Sequence, residues 1–294
     1  MTQAHTNTDV DIMMIGHFAR DKIVYQGGTT IASGGSVYYG ALALARLGWR
    51  VGVITRLHTD DFHRLEELRQ AGIVVHARPA PAPSGIENTY LTPDMDRRLC
   101  RPLAFAGAFG AADIPNMTAH TWLVGPIIAG EVDLAFLKAL VGRGTLALDI
   151  QGFVRVPEGD DLVFKDWPQK KDGLALVDVL KVDLAEAESL PGSTVVPAAL
   201  ARLAAFGPSE VLLTQASGVT VYAEGKLYQA PFTARQILGR TGRGDTCFAT
   251  YLAARLKAGP AEACRFAAAA TSLKMEKAGP LSATMADVQA RMAR

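Results

Sequence analysis

Apolar runs alternate with segments of helical period along most of the chain. VDIMMIG (10–16) predicts a strand, GGSVYYGALALARLG (34–48) a helix and VGVIT (51–55) a second strand. The alternation continues through a helix near 60–71, strands at IVVHA (73–77) and TWLVG (121–125), and a helix near 131–142. Further strands follow at TLALDI (145–150), VDVLKV (177–182) and EVLLT (210–214). Strands this apolar throughout are buried on both faces, which predicts an α/β fold: a mainly parallel sheet with helices on each side. From about residue 242 the pattern is helical, over 244–258, 261–277 and 284–292, with breaks at Gly259-Pro260 and Gly279-Pro280.

Two stretches lack helical period and carry strand-like alternation with turn residues, namely DKIVYQGGTTIAS (21–33) and SGIENTYLTPDMDRRLCRPLAFAG (84–107). Inserted between early βαβ units, they predict a small antiparallel sheet over one edge of the main sheet, where ligands bind outside the carboxyl ends of strands. We read them as a lid on one domain spanning 1–294. The charged, turn-rich segment 151–173 reads as an excursion between strands, and the first eight residues as a frayed polar tail.

Composition narrows the ligands. At 294 residues and 49% hydrophobic content the chain can bury a sizeable core, and a net charge of +1 gives no electrostatic case for nucleic acid or a membrane surface. Nowhere do about 18 apolar residues run uninterrupted. Cys100, Cys247 and Cys264 form no C-x-x-C pair, which favours free thiols and a cytoplasmic setting. The six histidines show no metal spacing; His58 and His63 are five apart with no third ligand. His17, beside a strand end, is expected to be structural.

GRTGRGDTCFATYL (239–252) concentrates the chemistry. Three glycines and two arginines surround Asp245, and an apolar helical run follows. A helix start presents free N–H groups and the positive end of the macrodipole, so Gly242, Arg243 and Gly244 would offer donors to a phosphate. A carboxylate there repels phosphate, unless it faces a hydroxyl that loses its proton while attacking phosphorus. By itself G-x-G-D is a weak signal, and Asp245 could equally be a helix-start carboxylate stabilised by the dipole.

Taken with ASGGSVYYGALALARLG (32–48), TGRGDT (241–246) and VDVLKVDLAEAESL (177–190), this loop makes the chain resemble the ribokinase-like (PfkB) family of carbohydrate kinases along nearly its whole length. The resemblance implies a three-layer α/β/α fold and ATP-dependent phosphorylation of a hydroxyl on a sugar or polyol. It implies Asp245 as the base and Gly242, Arg243 and Gly244 as the anion hole. Glu186, with Asp183 in place of the family's usual Asn, would organise Mg²⁺. Thr214, Gly218, Thr241 and Ala270 fall on the nucleotide side. Asp21, Gly34, Gly35 and Ser36 fall on the substrate side, with Glu131 and Asp149 as further candidates; Glu131 also reads as ordinary helix capping. Only one of Tyr38 and Tyr39 can face the pocket from a helix.

The chain departs from the pattern at Gly239, where relatives with a monovalent-cation site carry an aspartate ligand, and at Arg240 and Arg243, where small residues are frequent. LALDIQGFVR and the GHF loop resemble inositol-kinase-like members, which sets a cyclic polyol ahead of ribose, ketodeoxygluconate or a nucleoside. Relatives often pair through the lid, so a homodimer and a monomer both stay open. The other classes weighed are a nucleoside kinase, a regulatory sugar- or nucleotide-binding protein that has lost turnover, and a dehydrogenase. The last fails because the first strand ends in GHFARD and not in G-x-G-x-x-G.

Overall fold

The computed structural model describes residues 8–91, 98–190 and 195–293. The polar tail up to residue 7 and the centre of the 84–107 stretch lie outside the described residues. In chain order the strands are β1 (Val10–Ile15), β2 (Ala19–Tyr25), β3 (Gly28–Gly34), β4 (Val51–His58), β5 (Val74–Ala80), β6 (Gly85–Tyr90), β7 (Arg98–Ala104) and β8 (Ala119–Val124). They continue as β9 (Thr145–Asp149), β10 (Arg155–Glu158), β11 (Asp161–Phe164), β12 (Val179–Asp183), β13 (Glu210–Gln215), β14 (Gly218–Ala223) and β15 (Lys226–Pro231).

Nine of them form one sheet in the order β15-β14-β13-β12-β9-β8-β1-β4-β5, parallel from β13 to β5. Period-two alternation splits the core: Ile12 and Met14 of β1 pack into one cluster, Met13 and Ile15 into the other. The first is closed by helices Ser36–Arg46, Arg243–Arg255 and Pro260–Met275, the second by Leu134–Leu140 and Val196–Ala204. Each fully buried Leu, Val or Ile contributes about 1.5–3 kcal/mol. The three-layer α/β fold expected from the sequence is the one observed.

Register delivers the chemistry. Lys181 pairs with Asp149 across β12 and β9, and Asp183 with Thr214 across β12 and β13. All four therefore stand at the carboxyl edge of the sheet, where α/β folds bind ligands.

The two strand-like insertions pair into one four-stranded sheet, β3-β2-β6-β7; each hairpin is antiparallel as expected, but β2 and β6 join them in parallel, so the sheet is mixed. Two further elements differ from the sequence expectation. The helix near 60–71 is a 3₁₀ turn over Thr59–Leu65 followed by a short helix Glu66–Gln70, because buried Asp61 is held by Arg20 and Arg64. The 218–231 region is a hairpin, β14–β15, that extends the sheet antiparallel. It turns on Glu224 and Gly225, both at positive φ, as do Gln26 and Gly27 between β2 and β3; such turns match the strand twist.

Candidate active site

One cleft of about 260 Å³, a size for small molecules, lies between the lid and the carboxyl edge of the main sheet. Its floor holds Lys181, whose Nζ stands 2.9 Å from Asp149 Oδ2 and 3.6 Å from Glu186 Oε2. Burial works against the ammonium, but the carboxylates of Asp149, Glu186 and Asp183 outweigh it and hold the group protonated well above the usual lysine range.

Asp183 caps helix Leu184–Ser189: its Oδ1 accepts from Glu186 N at 2.8 Å, and Glu186 Oε2 accepts from Asp183 N at 2.7 Å. Burial and the neighbouring Asp183 raise the Glu186 carboxyl above its ordinary value. Its Oε1 is buried without a hydrogen-bond partner among the described residues. Mg²⁺ is commonly held by one or two carboxylates plus the phosphates of its ligand. Asp183, which lines the cleft, and the orphaned Glu186 oxygen fit an ion carried in on phosphates. No set of three metal-ligating side chains exists among the described residues, so they do not fit a self-contained cage.

On the side wall, helix Arg243–Arg255 starts at Gly242, whose φ of 80° is left-handed. A Cβ there would lie 2.1 Å from the Tyr39 ring, so both conformation and space require glycine. The amide of Arg243 donates to Arg240 O at 3.0 Å and closes a turn. Donors toward the cleft therefore come from the neighbouring first-turn amides, which have no internal acceptor, while Arg243 lines the cleft together with Arg240. The Arg243 guanidinium also lies 6.0 Å from the Phe232 ring. Burial, then Asp149 and Asp21, push the Asp245 carboxyl up to about 6, against the pull of Lys181 and Lys274.

The opposite wall belongs to the lid. Asp21 is buried on β2, and one of its carboxylate oxygens accepts from Ile86 N at 3.0 Å. Gly34 makes room for it, since a Cβ there would stand 2.2 Å from Asp21 Oδ2. Gly35, at φ 89°, begins helix Ser36–Arg46, and Ser36 Oγ donates to Gly125 O at 2.9 Å. Tyr39 lines the cleft, whereas Tyr38 turns away and donates to Glu67 at 2.9 Å.

Of the sequence candidates, Asp21, Gly35, Ser36, Asp149, Asp183, Thr214, Thr241, Gly242, Arg243, Gly244 and Asp245 line this one cleft. Gly34 and Glu186 stand directly behind it. Glu131 is fully buried, accepting from Ile127 N at 2.7 Å, Ile128 N at 2.9 Å and His17 N at 3.3 Å; it shapes the 125–131 loop and is not among the lining residues. His17 is buried too, within hydrogen-bond reach of Ser84 Oγ and Gly107 O. Gly218 packs against Ala230 at the start of β14 and Ala270 is buried inside its helix; neither lines the cleft. The lining also includes Asn88, Tyr90, Gln151, Arg155 and Lys181, which sequence reasoning missed. A lysine inside the apolar strand VDVLKV was the available signal; the other four carry none.

The fold and this cleft have counterparts among known proteins. The pfkB family carbohydrate kinases match over residues 155–286. A solved pyrophosphate-dependent kinase in the ribokinase family, complexed with a pyrophosphate analog and myo-inositol, is 36% identical with a TM-score of 0.88, covering 95% of this chain and 99% of that one. The chain belongs to the ribokinase family. It is thus a phosphotransferase of the carbohydrate-kinase class. Ribokinase from Arabidopsis thaliana, solved with ribose and ATP, shares the fold at 19% identity and a TM-score of 0.77, covering 97% of this chain and 99% of that one. The bifunctional protein HldE of Rhodospirillum rubrum is 35% identical over 124 residues, which is 40% of this chain and only a quarter of that protein.

Proposed function

We propose that the protein transfers a phosphoryl group to a hydroxyl of a cyclic polyol or sugar, with Asp245 as general base. The carrying observation is that Asp245, with its carboxyl raised to about 6, and Asp21 on the lid face one cleft from opposite walls. Asp21 accepts hydrogen bonds from substrate hydroxyls and orients one of them toward Asp245. As that oxygen attacks phosphorus, its proton passes to the Asp245 carboxylate, and the first-turn amides of helix Arg243–Arg255 with Lys181 and Arg243 balance the charge on the transferred group. A magnesium ion, held by Asp183 and Glu186, would neutralise charge on the donor phosphates. Lys181 also fixes the Asp149 carboxylate in place by its 2.9 Å contact.

The acceptor class follows from the myo-inositol bound by the 36% identical relative and from a cleft edged by Asp21, Asn88 and Gln151. For the donor, the family resemblance supports ATP with Mg²⁺. A second reading, inorganic pyrophosphate, is favoured by a specific observation. The cleft ends at Thr214, Arg240 and Arg243, and nothing from helix Pro260–Met275 or from residues 232–239 contributes to its lining. A wall of cations without a surface for a base suits a compact, highly charged donor, and the same relative is pyrophosphate-dependent.

The test supplies purified protein with myo-inositol, ribose and a nucleoside, each with ATP–Mg²⁺ and with pyrophosphate–Mg²⁺, and follows phosphorylated product by ³¹P NMR. We expect phosphorylated polyol, formed faster from pyrophosphate. No product with either donor, alongside tight polyol binding in calorimetry, would replace this reading with that of a regulatory binding protein. The three cysteines are unpaired in the structure, in keeping with a reducing cytoplasm as the setting. The outer face of the lid exposes Ile31, Leu99 and Leu103, and we assign it as the surface of a homodimer, which light scattering checks.

A further inference from the structure

Lys274 stands in the last turn of helix Pro260–Met275, and its side chain is buried, at 1% exposure. Its Nζ donates to Gly239 O at 2.8 Å and to Thr241 O, and it lies 5.2 Å from the centre of the Tyr39 ring. No carboxylate pairs with it among the described residues; the nearest charged influences are Asp245, which favours the ammonium, and Arg243, which opposes it. Two carbonyls and the face of a ring are the partners of a desolvated monovalent cation, and not those of a salt bridge.

What those carbonyls belong to gives the contact its meaning. The amides of Leu238 and Gly239 donate to Met275 O at 2.9 and 3.2 Å, and a Cβ on Gly239 would meet Lys277 O at 2.6 Å. No side chain fits at 239, so the loop lies flat on the end of the helix, and the positive charge that reaches its carbonyls is the Lys274 ammonium. Three residues after Gly239 the chain enters the left-handed Gly242 and then the first turn that carries Asp245. Tyr39, which the ammonium faces, is also the ring against which Gly242 packs.

We propose that Lys274 is a tethered monovalent cation: its ammonium binds the Gly239 and Thr241 carbonyls in place of a dissolved potassium or ammonium ion and fixes the 239–242 turn. Lys274 is a positioning residue for phosphoryl transfer, and it makes the reaction independent of dissolved monovalent cations. This rests on the phosphotransfer reading, but the cation claim is measurable without it.

Lys274→Ala removes the ammonium and opens a space beside two carbonyls. In thermal-shift assays at constant ionic strength, KCl and NH₄Cl should raise the Tm of Lys274→Ala above its value in tetramethylammonium chloride, while the wild type shows no such selectivity. In turnover, the variant should lose on the order of 10²-fold in kcat, as misplacement of reacting groups does, with the KM for the polyol little changed. Potassium or ammonium should restore at least tenfold of that loss. Lys274→Met, whose stem fills the space, should lose turnover and gain nothing from either ion.

Three outcomes overturn the proposal: a folded Lys274→Ala with no ion-selective gain in Tm or rate, a wild type stimulated by potassium, or Lys274→Met with wild-type turnover. Should Lys274→Ala fail to fold, the wild-type salt exchange and Lys274→Met still decide. Should the wild type show no transfer from either donor, the Tm comparison decides the cation question alone.

Discussion

The two walls of the cleft are built on different principles. The lid wall places its groups through strand register: Asp21 on β2 and Asn88 and Tyr90 on β6 share one face, while Lys22, Glu87, Ile31 and Leu99 share the other. Its polar groups are neutral or acidic, and strand pairing brings them together from two hairpins. The wall of the main sheet gathers cations from distant positions among its acids Asp149, Asp183 and Asp245, with Lys181 from the middle of β12, Arg240 from the loop, Arg243 from the helix start, and Lys274 behind them from a helix end. A neutral acceptor needs hydroxyl partners, whereas a phosphate donor needs charge, and the asymmetry is the one the proposed phosphoryl transfer requires.

The largest effects should fall where the walls meet. Asp245→Asn keeps the size of the side chain but cannot take the proton, so kcat should drop roughly 10²–10⁴-fold while polyol binding measured by calorimetry holds. Equal kcat in the variant would remove the base from the mechanism. Lys181→Met should cost about 10²-fold in kcat, because it removes a cation from the donor wall and leaves Asp149, Asp183 and Glu186 mutually unshielded. Asp21→Asn acts on the other wall: losing hydrogen bonds from a charged acceptor should lower kcat/KM for the polyol about 10- to 100-fold, leaving the KM for the donor unchanged. Donor and acceptor KM values moving together in both variants would dissolve the division of labour.

The pH profile sharpens the same contrast. A base works deprotonated, and Asp245 has a carboxyl raised to about 6, so activity should be lost as pH falls through about 6. Lys274 works protonated; burial lowers its ammonium to about 8, so activity should also fall as pH rises through about 8. Lys181 pulls the Asp245 carboxyl down, so in Lys181→Met the acid limb should move to higher pH. In Lys274→Met the alkaline limb should disappear. A kcat/KM profile over pH 5–9 reads all three, and an acid limb near 4 in the wild type would refute the desolvated base.

How far the walls were legible in the sequence follows the same division. The parallel sheet showed in VDIMMIG, TLALDI and VDVLKV because strands buried on both faces leave continuous apolar runs. Asp245 and Gly242 showed because turn glycines and a lone carboxylate at a helix start are local signals, whereas Asp21 came only from the family resemblance. Lys181 and Lys274 did not: each looks like an ordinary charged residue, one in a strand and one near a helix end, until tertiary structure buries it against carboxylates or carbonyls. Gly239 shows the limit from the other side. Its missing acid looked like a lost ligand, whereas the fold leaves no room for any side chain there. The β14–β15 hairpin escaped because its turn uses Glu224 at positive φ, a residue with no turn preference of its own.

The smallest effect tests the join between the walls. Tyr90 Oη lies 3.1 Å from Thr241 Oγ1, so a lid strand touches the loop that leads into Gly242. Both residues line the cleft, and Tyr90 is otherwise packed, at 6% exposure. Tyr90→Phe keeps that packing and removes one hydrogen bond between neutral groups, worth about 0.5–1.5 kcal/mol, or roughly 2- to 10-fold in an equilibrium. If the contact only stabilises the fold, the loss appears as a lower Tm and leaves kinetics alone. If it holds the acceptor wall against the donor wall during transfer, kcat should fall by that factor, and the KM values for donor and acceptor should shift less. Tyr90→Phe combined with Thr241→Val should then cost no more than either change alone, because both remove the same bond. Additive losses would mean that the lid and the anion-binding loop act independently, and that closure of the cleft depends on contacts to substrate alone.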